Sequence, residues 1–349
     1  MITRRLQRAH INATEKWSYG FAIGPHMTYV GATTRSNWLT QMKNAQAGWM
    51  RIDASWSTIM NGGPTSYNWT PLDNAVQDSI NKGFKVLLIP AYTPVWARPA
   101  GTSETYAPTN IADYANFVTA LVQRFYPRVK HYELWNEPNL VNFWKDTVAN
   151  PKPNIARYTQ LLKQGYLAAK AVTTDTTIIT AGLAGMPDAA DGTSFKSTTF
   201  LQGMYTNGAK NHFDAVAQHP YSFPAMPSEN EHWSNWSQMY VNDFPQSGIY
   251  GTPSLRSIMI ANGDGNKKIW MTEFGGPTSG TNSWTEAQQA QATQQAITLS
   301  KTFSWAGPLF LYTYPDLAPV GNTTDREYYF GIVRYDGSPK PAYTYLQNM

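Results

Sequence analysis

Eight short apolar runs recur along the chain, most followed by a stretch with helical spacing, and this alternation restricts the possible folds more than any other feature. The runs are "YGFAIG" (19–24), "GWMRIDASW" (48–56), "KVLLIPAYT" (85–93), "KHYELWNE" (130–137), "TIITAGLA" (177–184), "FDAVAQHPY" (213–221), "KIWMTEFGG" (268–276) and "LFLYTY" (309–314). Nearly continuous apolar runs of this length suit strands covered on both faces. Between them, "NWTPLDNAVQDSINKG" offers Thr70 as N-cap, Pro71 at the first helical position and Gly83 near the stop. "NIADYANFVTALVQRFY" sets Phe117, Val118, Leu121, Val122 and Phe125 on one stripe, and Thr285 and Gln288 have capping-box spacing. Further helices are expected over 37–47, 155–172, 195–208, 253–262 and 341–348.

Strand then helix, eight times over, predicts an α/β fold: a (β/α)₈ TIM barrel. A doubly wound open sheet is the alternative, but "GFAIGPH" after the first strand is not a Gly-rich phosphate turn. No 20–50-residue repeat or low-complexity linker interrupts the pattern, so one domain is expected over 18–349, behind an N-terminal extension, 1–17. The chain is expected to end within or just after its eighth helix.

The net charge of +4 comes with no long run of like charges, which argues against a nucleic-acid or membrane surface. Arg4, Arg5 and Arg8 read as a solvated arm. Cysteine is absent, and the six histidines show no ligand spacing, so neither a metal nor a cofactor is expected. "NGDGN" (262–266) lacks the terminal glutamate of a calcium loop and reads as a turn. Residues 1–20 lack the apolar run of a secretory signal, and localisation stays open. No stretch is long and apolar enough for a spanning helix. Charged residues make up only 14% of the chain, while 13 Trp and 21 Tyr supply more flat faces than a core needs. Such faces suit sugars or other rigid rings.

In a barrel of this kind, chemistry sits at the C-terminal ends of the strands. Only nine glutamates occur, and Glu133, Glu137 and Glu273 fall within strand runs or at their ends. A carboxylate there is costly unless paired or used. Glu137 precedes Pro138, and Glu273 precedes Phe274, Gly275 and Gly276. Two carboxyls on different strand ends face a shared cleft, the pair that glycosidic hydrolysis requires: one protonates the leaving oxygen, the other attacks or supports the anomeric carbon. They can also be ion-paired framework residues. Glu133 lies mid-strand and is expected in a buried network with Arg51 or a tyrosine.

"YELWNEPNLVNFW" resembles the fourth-strand motif of clan A glycoside hydrolases, and its continuation is most similar to family 39, with family 5 second. "WMTEFGG" resembles the seventh-strand motif of the same clan; "RIDASWS", "PAYTPVWA", "HPYS" and "FGIVRYDGSPKPAY" are also similar, so the resemblance runs from about residue 18 onward. It implies a retaining hydrolase with Glu137 as acid/base and Glu273 as nucleophile, about 5–5.5 Å apart. It further implies that Asn136 binds a sugar hydroxyl, that His219 and Tyr221 border the nucleophile, and that Arg51 holds its charge. Trp56, Tyr92, Trp96, Phe143, Trp144, Phe223, Trp233, Trp236 and Trp284 fall on or near the catalytic-face loops. Spread over several loops they suggest an elongated cleft and an endo-acting enzyme on a polysaccharide or oligosaccharide, although any one ring can equally be core. Tyr312 stands where the clan commonly has a tryptophan platform. The β-sandwich of family 39 xylosidases is missing, so xylosidase activity does not carry over. A monomer is expected. The rivals are an exo-acting β-glycosidase, a non-catalytic polysaccharide-binding barrel, and a lyase or aldolase. The last would want a strand-end lysine, whereas Lys85, Lys130 and Lys268 begin their strands.

Overall fold

The computed structural model describes residues 18–229, 239 and 253–349. The N-terminal extension with its arginines, Trp233 and Trp236 lie outside the described residues.

The strands are β1 (Tyr19–Ala22), β2 (Trp49–Ser55), β3 (Lys85–Ala91), β4 (His131–Asn136), β5 (Thr177–Ala184), β6 (Ala215–His219), β7 (Lys268–Phe274) and β8 (Ala306–Leu311). Each pairs in parallel with the next, and β8 closes on β1, so the sheet is a closed barrel and not an open doubly wound one. The principal helices are α1 (Ala32–Asn44), α2 (Thr70–Asn81), α3 (Ile111–Phe125), α4 (Ile155–Val172), α5 (Ser197–Thr206), α6 (Leu255–Ala261), α7 (Glu286–Thr302) and α8 (Pro341–Gln347). Single turns at His26–Tyr29, Trp56–Ile59 and Arg326–Tyr329 lie in loops at the mouth. Among the described residues no helix is long and apolar enough to cross a membrane.

Local chemistry accounts for most boundaries. The capping box at Thr285 and Gln288 forms in both directions, and α3 buries its expected stripe. Thr70 is the first helical residue rather than the cap, a shift of one position. Two boundaries differ more. Helix α1 starts five residues before the expected 37, because its polar first turn is held by tertiary bonds: buried Arg35 donates to Asp78 Oδ2 at 2.7 Å and to the carbonyls of Met27 and Val30. Strand β8 starts at Ala306, three residues early, and includes Gly307 and Pro308, which do not read as strand residues. Gly307 is there for close packing, since a Cβ would lie 2.4 Å from the Trp270 ring.

Strand alternation sorts the barrel interior into layers. Met50, Ile52 and Ala54 of β2 face the helices and join the large outer core. Trp49 faces inward and meets Leu87, Ile179, Ala215, Ala217, Trp270 and Phe310 in an apolar floor; its ring is edge-on to Trp270 at 5.3 Å. Above this floor the inward positions turn polar: Arg51, Glu133, His219 and Thr272 are all buried. The floor keeps water out from below, so the polar layer opens only toward the mouth.

A buried ion pair fastens that mouth. Lys340 Nζ lies 2.8 Å from Asp316 and also donates to Thr278 Oγ1 at 2.8 Å, while the Gly331 amide donates to Asp316 Oδ1 at 2.9 Å. Both charged side chains are 1% exposed. The pair ties the loop after β8 to the loop after β7 and to the start of α8. Lys340→Met should cost about 3–5 kcal/mol, because Asp316 stays buried without its cation. For a chain this size, that is a melting-temperature fall of roughly 5 °C. Adding Asp316→Leu should return most of it; thermal unfolding of the single and double variants checks both expectations.

Candidate active site

The two glutamates singled out in the sequence meet at the mouth. Glu137 is the first residue beyond β4 and has a left-handed backbone (φ 43°), as do Trp135 (φ 85°) on β4 and Tyr92 (φ 70°) just after β3. Such conformations cost on the order of 1–3 kcal/mol each in residues other than glycine and cluster at functional sites. The loop after Glu137 is held by Asn139, whose buried amide donates to the Ala184 and Phe195 carbonyls and accepts from the Ala184 amide. Glu273 projects from the end of β7.

One oxygen of Glu137, one oxygen of Glu273 and one ring nitrogen of His219 all lie within 4.8 Å of one another. His219 Nδ1 is 2.7 Å from Glu137 Oε1 and 3.6 Å from Glu273 Oε2. Tyr221 donates to Glu273 Oε2 at 2.8 Å, and Arg51 bonds the other oxygen. Beneath them Arg51 grips Glu133 with two bonds, of 2.8 and 3.0 Å, and donates to Asn136 Oδ1 at 2.9 Å. Glu133 also accepts from the Gly182 amide at 2.8 Å and from Thr272 at 3.2 Å. The network expected for Glu133 is present, with Arg51 as its partner. The Oδ1 of Asn136 is thereby occupied.

Electrostatics separates the carboxyls. Burial alone would raise Glu133, but Arg51 and His219 hold it near 2. Glu137 is raised, first by burial and then by the charge of Glu273, against the lowering effect of its bond to His219. His219 would be lowered by burial, yet Glu273, Glu133 and Glu137 together bring it to about 9. His219 Nε2 is 3.9 Å from Glu133, too far for a hydrogen bond. The imidazole fits because residue 182 is glycine; a Cβ there would lie 2.0 Å from Nε2. The spacing of Glu137, His219 and Glu273 would also seat a small cation, but each group is already engaged within the site.

The predicted aromatic platforms divide. Tyr92 and Trp96 on the β3 loop, Phe143 on the β4 loop, Phe223 on the β6 loop and Tyr312 past β8 are half-buried around the mouth. Trp56 and Trp144 are fully buried, which corrects their assignment as sugar contacts. Trp56 stacks on Phe117 at 5.7 Å; Trp144 is wedged between Trp135 and Tyr158 at 5.1 and 5.9 Å. Neither has a free face. Trp284, 2% exposed, is likewise core. Sequence reasoning passed over Asp53, Asn139, Thr272 and Gly182. Asp53 carried a usable signal, lying two residues after Arg51 on the same face of β2.

No protein-family model matches the chain, and no curated protein sequence is similar to it. Solved structures are similar in fold. A family 39 glycoside hydrolase from the gut symbiont Bacteroides cellulosilyticus WH2 is 22% identical with a TM-score of 0.68, over 94% of this chain and 62% of that one. A monomeric β-xylosidase from Caulobacter crescentus CB15 is 18% identical with a TM-score of 0.63, over 94% of this chain and 67% of that one. A family 10 endoxylanase retrieved from a sugarcane soil metagenome is 12% identical with a TM-score of 0.62, over 96% of this chain and 97% of that one. Family 5 structures match as well. The chain thus spans about two thirds of the first two proteins and nearly all of the third, and what it shares with them is the fold of the barrel.

Proposed function

We propose that the chain is a retaining O-glycoside hydrolase in which Glu137 is the acid/base and Glu273 the nucleophile. The carrying observation is that one oxygen of Glu137 and one of Glu273, carboxyls at the ends of two different strands, lie within 4.8 Å of each other. Inverting enzymes need about 6.5–9.5 Å between the carboxyl groups to admit a water, whereas in retaining enzymes they stand only about 5–5.5 Å apart. Arg51 and Tyr221 orient Glu273 toward an anomeric carbon, and the raised Glu137 keeps a proton for the leaving oxygen. In the second step the Glu137 carboxylate takes a proton from water as the glycosyl–Glu273 ester is hydrolysed, and the configuration is retained. Asn136 would bind the sugar beside the nucleophile. The reading needs no metal, since Arg51 and His219 supply the positive charge.

The substrate is proposed to be a polysaccharide cut internally by a monomer. Aromatics on both flanks of the pair support this, with Tyr92 and Trp96 on one side and Phe223 and Tyr312 on the other. The burial of Trp56, Trp144 and Trp284 makes the cleft less aromatic than the sequence suggests. The test is a panel of polysaccharides and aryl glycosides, with and without a chelator, with product anomers followed by NMR. Oligosaccharides of mixed length with retained configuration are the expected result. Inverted products would sink the mechanism, release of single sugars alone would sink internal cleavage, and binding without turnover would make the barrel a binding module.

A further inference from the structure

Alternation along β2 turns Trp49, Arg51, Asp53 and Ser55 toward the barrel axis, rising from floor to mouth. Three of these are accounted for. Trp49 belongs to the aromatic floor, Arg51 holds Glu133, Asn136 and Glu273, and Ser55 caps the turn that follows by accepting from the Thr58 amide at 3.2 Å. Asp53 makes no hydrogen bond or ion pair among the described residues, although it sits directly above the polar layer.

Its surroundings make that position costly. Burial, and the charges of Glu273, Glu133 and Glu104, outweigh the nearby Arg51 and bring its carboxyl to about 6. Tyr92 stands beside it with a hydroxyl that is itself raised, by burial first and then by Asp53, Glu273 and Glu137. A buried polar group is normally paired within the fold, whereas Asp53, half-buried, has only the open cleft to pair with. A group left unpaired among like charges destabilises the free protein, and such local conflicts belong where a ligand completes the site. The partner must be a donor. It must also lie on the nucleophile's side of the cleft, where the charge of Glu273 is felt.

We infer that Asp53 is a substrate-contacting, specificity-determining residue: its two carboxylate oxygens accept the hydroxyl protons of two adjacent ring carbons in the sugar bound against Glu273. The inference rests on the hydrolase reading for the place of that sugar. It commits the site to a glycone with free vicinal hydroxyls, and a ring substituted or deoxygenated there is rejected. A site built to bond a hydroxyl discriminates strongly against its absence, because its own polar group is then left unpaired.

The test uses Asp53→Asn and Asp53→Ala in the full chain, with melting temperature and kcat/KM measured on the aryl glycoside that the wild type turns over best. Expected are a loss in kcat/KM of about a hundredfold or more, an unchanged or higher melting temperature, and a stability difference between variant and wild type that fades as pH falls through about 6. A glycoside lacking one of the contacted hydroxyls should lose a similar factor with the wild type and little more with the variants. Turnover within threefold of wild type, or equal sensitivity of wild type and variants to the deoxy substrate, overturns the contact. If the wild type turns over nothing, the hydrolase reading falls separately. The stability arm then decides: a lower melting temperature in both variants makes Asp53 structural and overturns the inference, and an equal or higher one upholds a ligand-facing carboxyl.

Discussion

With Glu273 as the proposed nucleophile, Glu273→Gln should abolish turnover for every leaving group, a loss of at least about 10⁴-fold, because no covalent intermediate can form without the carboxylate. Glu137→Gln should behave differently. On a natural sugar leaving group the loss should be about 10²–10⁴-fold, the usual worth of general acid–base catalysis. On a dinitrophenyl glycoside, whose leaving group departs without a proton, formation of the glycosyl-enzyme should be nearly untouched and its hydrolysis should become limiting. Since burial and the Glu273 charge raise Glu137, the proposed acid holds its proton above the ordinary carboxylate range in the wild type. Its kcat/KM should therefore fall on the alkaline side as that proton leaves, and the glutamine variant should lack this limb. The raised group has a matching effect on stability, because a carboxyl held above its unfolded value stabilises the fold at low pH and loses that contribution as pH rises. Glu137→Gln should thus be no less stable than wild type at pH 8. Steady-state and burst kinetics on the two classes of leaving group, across pH, check the assignment. Equal losses on both classes in both variants would remove the distinction between acid and nucleophile.

How much of this was legible in the sequence follows from the range of the forces involved. The strand runs and their order could be read because burial on both faces imposes short apolar runs, and their length and the helical spacing between them set them apart from buried helices. Glu137 and Glu273 stood out because few charges occur in this chain, so a carboxylate at a strand end was conspicuous. The limits of α1 and β8 could not be read, since Arg35 is fixed by Asp78, 43 residues away, and Gly307 by the ring of Trp270. The tryptophans failed for a related reason. Trp56 and Trp144 occupy catalytic-face loops, but a loop residue can fold back beneath the mouth, and only the neighbouring Phe117, Trp135 and Tyr158 show that these two do. Position along a barrel strand therefore told more about which side chains meet at the mouth than residue type on a loop.

Arg51→Met should be the most destabilising single change in the polar layer. Its guanidinium is 2% exposed and holds Glu133 and Glu273, with Asn136 as a third partner. Removing it leaves Glu133, fully buried, with only His219 for a counter-charge, and loss of one member of a buried pair costs about 3–5 kcal/mol. The dependence on pH should also change sign. In the wild type Glu133 is depressed to about 2, so its contribution is complete above the unfolded carboxylate pKa and is lost as pH falls from about 4 toward 2. Without Arg51, burial dominates and raises that same carboxyl above its unfolded value. Protonation then stabilises the fold, and the variant should be more stable at pH 5 than at pH 7, which urea unfolding at the two values can measure. His219 acts in the same sense in both proteins: raised to about 9 by the surrounding carboxylates, it adds stability at neutral pH and below that is lost as pH climbs through 9. Pairing Arg51→Met with Glu133→Leu should restore much of the stability, since an apolar pair can replace a buried ionic one. It should not restore turnover, because Glu273, the proposed nucleophile, still lacks the cation that holds it in place. A double variant that regains both would mean that Arg51 serves the framework alone, and one that regains neither would mean that the polar layer cannot be repacked.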